Sequence, residues 1–119
     1  MADEALFIGW SDVVRGRERK ALDVFNESVQ YYRELQQNGR IEHFDAWLLA
    51  PHGGDLNGFF LLHGRREQLD DLRRSPDFEL LLTRAGMIVD RLGAVNAYSG
   101  EALGRLMGQF QQASGEFGG

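Results

Sequence analysis

Four short stretches of the chain alternate apolar and other residues, and the stretches between them carry apolar residues every three or four positions. Glu4 to Trp10 reads as a strand, with Leu6, Ile8 and Trp10 on one side and Phe7 and Gly9 on the other. From Arg17 to Gln37, Leu22, Phe25, Val29, Tyr32 and Leu35 form a helical stripe, and Asn38-Gly39 supplies the turn that ends it. Ile41 to Ala50 is a second strand, stopped by Pro51. His52 to Asn57 is a turn-rich hairpin loop, and Gly58 to Arg65 returns as a third strand antiparallel to the second. Arg66 to Arg74 makes a short helix carrying Leu69 and Leu72. Ser75-Pro76-Asp77 then restarts a helix with good N-terminal chemistry, and its stripe Phe78, Leu81, Leu82, Ala85, Val89 and Leu92 predicts that it runs to Gly93. Ala94 to Tyr98 is a fourth strand. Ser99-Gly100-Glu101 caps a last helix to Gln112, where Leu103, Leu106, Met107 and Phe110 share a face. Residues 113–119 include three glycines and are expected to form a flexible tail.

This order predicts an α+β chain: a ferredoxin-like βαββαβ domain with a four-stranded antiparallel sheet and an added C-terminal helix. Right-handed crossovers place the long helices on one side of such a sheet and leave the other side bare. A single domain is expected over 1–119, with a core at 4–98, the last helix at 99–112 and the tail beyond it.

Alternation says what each sheet face carries. One set holds Leu6, Ile8, Trp10, His43, Asp45, Trp47, Phe59, Leu61, His63, Asn96 and Tyr98. The other holds Phe7, Gly9, Phe44, Ala46, Leu48, Phe60, Leu62, Gly64, Val95 and Ala97. The second set is wholly apolar and partly small, which suits helix packing, so the first is expected on the bare face. A four-stranded face spans roughly 400 Å² from strand spacing and rise, and the first set is too apolar to face water. The economical cover is the same face of a second copy about a two-fold axis, a homodimer.

The βαββαβ order, the aromatic second face and the ending Gly93-Ala-Val-Asn-Ala-Tyr-Ser-Gly100 resemble the dimeric α+β barrel superfamily, across about Glu4 to Glu101. In particular the pattern loosely resembles the uncharacterised YCII-like and the muconolactone-isomerase-like members. The superfamily also includes cofactor-free monooxygenases, isomerases, haem enzymes and proteins without an assigned function. The resemblance therefore implies a homodimer and leaves the activity open.

Composition narrows the field. The chain has 119 residues, with 43% hydrophobic and 26% charged, which is ordinary for a folded domain. It has no cysteine, which rules out disulfides, thiolate metal sites and a thiol nucleophile. The net charge of −5 argues against nucleic acid as a partner. Met1-Ala2-Asp3-Glu4 lacks the basic flank and apolar run of a signal peptide, and no stretch is long enough to span a membrane, so a cytoplasmic location is expected.

The candidate chemistry lies on the expected bare face. His43 and Asp45 stand two apart on one strand and His63 lies on the next. A carboxylate beside an imidazole orients it, so these three are the candidate catalytic residues, with a histidine as general base. Trp10, Trp47, Phe59, Leu61, Asn96 and Tyr98 are the candidate ligand contacts, making an apolar cavity with a few convergent polar groups. The competing account gives these polar groups only interface hydrogen bonds. Spacings of 9 and 11 residues between His43, His52 and His63 match no compact ligand motif, so no metal is expected, nor any cofactor. The basic run Arg15, Arg17, Arg19 and Lys20 is expected to be a solvated face paired with carboxylates such as Asp23 or Glu27. Three functions remain: a homodimer binding a small apolar or aromatic molecule in the barrel lumen, a cofactor-independent monooxygenase or isomerase, and a purely structural dimerisation module.

Overall fold

The structure, a computed structural model, describes residues 3–118. Met1, Ala2 and Gly119 lie outside the described residues, and with them the start of the segment read for a signal peptide and the last residue of the expected tail. Eight elements follow in order: β1 (Glu4–Trp10), α1 (Glu18–Gln37), β2 (His43–Leu48), β3 (Gly58–Gly64), α2 (Arg66–Arg73), α3 (Pro76–Gly86), β4 (Gly93–Tyr98) and α4 (Gly100–Glu116). The strands form one antiparallel sheet in the order β2-β3-β1-β4. Both crossovers skip a strand, as the split βαβ arrangement requires. Among the described residues no helix is long and apolar enough to cross a membrane.

The core lies between the sheet and α1, α2 and α3. Leu6, Ile8, Phe60 and Leu62 rise from the sheet to meet Tyr32, Leu35, Leu69, Leu72, Phe78 and Leu81, all buried. Tyr32 stands at its centre, edge-on to Phe60 at 5.0 Å and tilted on Phe44 at 6.0 Å. Burial holds its hydroxyl well above the ordinary phenol range, with neighbouring Tyr31 adding to the effect.

The register corrects two strands of the face assignment. Directly opposed residues in an antiparallel pair project to the same side. Leu6 faces Leu62 and Ile8 faces Phe60, so Leu6, Ile8 and Trp10 belong to the helix side; Asn96, opposite Leu6, and Tyr98 join them. The open face takes Ala5, Phe7, Gly9, Val95 and Ala97 in their place. Both faces of β1 are apolar, so its alternation carried no sign, and β1 pairs with β3 across a long connection with no hairpin to count from. In β2 and β3 the expected assignment agrees with the register.

Three boundaries also differ. β2 is shorter than expected, and Ile41 before it packs into the core instead. α3 stops at Gly86, where glycine weakens a helix. Beyond it, backbone bonds from Ser11 to Asp90, Asp90 to Asp12 and Val14 to Ile88 clasp the segment to the β1–α1 connection, with Val13 and Val89 bridged. α4 continues to Glu116, through four residues expected in the tail. On α1 the stripe is rotated at its start: Ala21 and Val24 are buried, whereas Leu22 is 60% exposed.

Candidate functional site

The open face is a grid of three rungs. The first carries His43, His63, Ala5 and Ala97; the second Asp45, Leu61, Phe7 and Val95; the third Trp47, Phe59 and the glycines Gly9 and Gly93. Phe59 stacks on Trp47 at 6.5 Å and on Phe7 at 5.2 Å. The Phe7 ring leans over Gly9, where a Cβ would lie 2.6 Å from it. An aromatic ridge thus crosses the face, and Trp47 and Val95 are each 55% exposed.

At the end of this face Asp45 holds both histidines. Its Oδ1 is 2.8 Å from Nε2 of His43 and its Oδ2 is 2.9 Å from Nε2 of His63, and the two rings stack at 5.5 Å. An ionised carboxylate only accepts, so each imidazole donates through Nε2–H, leaving Nδ1 of a neutral ring as a proton acceptor. The hydrogen bond from His63 lowers the Asp45 carboxyl below its ordinary range; partial burial opposes this and His43 reinforces it. A lowered carboxylate adds stability that is complete above its unfolded value of about 3.9 and is lost as pH falls through the lower folded value. Asp45→Asn is therefore expected to lower the urea midpoint at pH 7, by well under 1 kcal/mol (roughly, as for an exposed pair), with the difference closing towards pH 2. Equal midpoints at pH 7 contradict this.

The three expected catalytic residues are thus brought together, and Trp47, Phe59 and Leu61 share their face. Trp10, Asn96 and Tyr98 do not. Asn96 accepts a hydrogen bond from Arg73 at 3.1 Å, and Tyr98 lies under the Arg105 guanidinium, 6.0 Å from its ring centre. His52 is turned into its own loop, 2.7 Å from the Leu56 carbonyl oxygen. Among the described residues no cluster of His, Asp and Glu is arranged to hold a metal ion. In the basic run, Arg17 donates to the Met87 carbonyl, and Glu27 pairs with Arg84 of α3 at 2.6 Å rather than with that run. The Arg84 hydrogen bond lowers the Glu27 carboxyl.

An apolar hollow lies on the other side of the sheet. Between the sheet, α1 and α3 lies a cavity of about 370 Å³, floored by Ile8, Trp10 and Phe60 and walled by Phe25, Leu82 and Ala85. Trp10 reaches it by lying over Gly58, where a Cβ would be 2.6 Å from the indole. Its ring is 5.3 Å from Phe60 and 6.2 Å from Phe25. Besides the Tyr32 hydroxyl and the Trp10 indole, the polar side chains around the cavity are Glu18, Asn26 and Ser28; Glu18 accepts from the Gly16 N–H, Ser28 donates to the Val24 carbonyl, and Asn26 is exposed. Sequence reasoning found Phe25 and Phe60 as core and missed the void, because volume left between layers has no signature in a strand or a stripe. The alanines at 21 and 85, small residues facing the sheet, were the available signal.

No family model matches the chain, and no curated protein matches it in sequence. Solved structures do match. A dimeric protein of unknown function with a ferredoxin-like fold from Bacteroides fragilis is similar, at a TM-score of 0.59 and 11% identity over 80% of this chain and 95% of that one. SnoaB, a cofactor-independent oxygenase from Streptomyces nogalater, is similar at a TM-score of 0.53 and 17% identity, over 83% of this chain and 95% of that one. These likenesses show the fold: the chain is an α+β protein of the ferredoxin-like fold.

Proposed function

We propose that the chain is a homodimer that binds a small, apolar, ring-containing molecule in the cavity between its sheet and α1 and α3. The cavity itself carries this reading. Its size falls in the range of small-molecule sites, and its lining is mostly aliphatic and aromatic with few polar groups. The lumen expected from the sequence is replaced as the binding place by this hollow, and the open face becomes the dimer contact. The dimeric fold relative from Bacteroides fragilis supports self-association. So does the exposed aromatic ridge, which water solvates poorly.

Trp10 borders the cavity and Trp47 lies across the sheet, and they are the only tryptophans. In a Trp47→Phe background, naphthols and naphthoquinones are expected to change the remaining indole fluorescence saturably. Ala85→Phe in the same background narrows the void and should sharply weaken that binding while the chain stays folded by circular dichroism. Binding unaffected by Ala85→Phe would rule the cavity out as the site.

A second reading, a cofactor-independent oxygenase or isomerase, draws on the His43–Asp45–His63 group and on the fold shared with SnoaB. The cavity and the imidazoles occupy opposite faces of the sheet, so this chemistry needs its substrate on the open face. Turnover of a phenol, quinol or lactone lost in both His43→Ala and His63→Ala would favour it. Turnover that survives both changes, or no turnover at all, would remove it.

A further inference from the structure

We propose that α4 is an arm whose apolar stripe is covered by a second copy of this chain, making it part of the dimer contact. The inference rests on the homodimer reading above. Leu103, Leu106, Phe110, Ala113 and Phe117 are spaced three, four, three and four apart, the interval that keeps one seam on a partner. In the single chain that seam is bare: Leu103 is 46% exposed, Phe110 69% and Phe117 87%, and Ala102 is the buried residue of the helix. Within its own chain α4 rests chiefly on β4, held at its start by the Asp3 carboxylate and the Glu101 N–H.

Such a helix is poorly built to stand alone. Gly104, Gly108 and Gly115 weaken it, with open space where each side chain would be, and no charged residue lies between Leu106 and Gly115. The chain's overall dimensions show the same projection. Its radius of gyration is 16.3 Å, against about 13.5 Å for a compact chain of this length. Its accessible surface is 7906 Å², against roughly 6,500 Å² for a compact monomer of this mass.

Area and continuity select a second copy as the cover. Two open sheet faces bury roughly 800 Å² together, which is short of the ~1,200 Å² at which stable interfaces begin. A 17-residue helix is about 25 Å long and ~10 Å wide, so two arms add roughly 500 Å² and bring the sum into range. α4 also leaves directly from β4, whose Val95 and Ala97 lie on the open face, so the stripe begins at the edge of that face.

The test is sedimentation equilibrium of the wild-type chain and of Leu103→Gln/Phe110→Gln. Glutamine keeps helix propensity, and both positions are exposed in the single chain, so the domain should stay folded, with circular dichroism losing at most the α4 contribution. The double variant is expected to raise the dimer dissociation constant by about 100-fold or more. An unchanged constant overturns the role of α4 and leaves the sheet-face dimer standing. A wild-type chain that is monomeric throughout the micromolar range overturns the homodimer reading, and this inference with it.

Discussion

Phe60→Ala is expected to cost about 3–5 kcal/mol of folding stability, whereas Phe59→Ala, one residue earlier, should cost the single chain about 1 kcal/mol or less. The two side chains are alike and point to opposite layers. Phe60 is 4% exposed and meets Trp10, Phe25 and Tyr32 at centroid distances of 5.3, 5.4 and 5.0 Å. Removing it opens a void at the floor of the cavity, next to space already empty, so the surroundings have little with which to fill it. Phe59 lies half-buried between Trp47 and Phe7 on the open face. Its loss should appear instead as weaker dimerisation, and so as a concentration-dependent unfolding midpoint. Urea unfolding at several protein concentrations separates the two effects. Equal, concentration-independent costs would mean that the layers are wrongly assigned.

Leu61→Asp should have the largest effect on assembly, raising the dimer dissociation constant by about 1,000-fold or more. Leu61 sits in the middle rung of the open face, between Asp45 on β2 and Phe7 on β1. A new carboxylate there would stand beside the Asp45 carboxylate and, in the dimer, be buried among rings. A two-fold interface takes the change twice. In the monomer the same side chain reaches water, so the fold should survive.

The strand order and most boundaries were legible in the sequence, because glycine, proline and asparagine mark the turns and the stripes of α1 and α2 are strong. The faces of β2 and β3 were legible too: polar His43 and Asp45 alternate with Phe44 and Ala46, and a hairpin ties one strand to the other. In β1, Leu6 and Ile8 compete with Phe7 on equal terms, and only the pairing with β3 decides between them. Asn96 looked like a lumen polar group because its partner, Arg73, lies 23 residues away on another element. The end of α3 was missed because Val89 and Leu92 continue the helical spacing past Gly86, although the backbone there pairs with the β1–α1 connection. The Asp45 group was legible in its members, since residues two apart on a strand are neighbours, whereas the cavity depends on how far α1 and α3 stand from the sheet.

The most direct test of the account is sedimentation velocity of the wild-type chain and Leu61→Asp across the micromolar range. The wild type is expected to sediment at about twice the 13.5 kDa of the chain, and Leu61→Asp at the chain mass while still folded by circular dichroism. A folded wild-type monomer, or a Leu61→Asp variant that remains dimeric, would contradict the claim that the open face of the sheet is the contact.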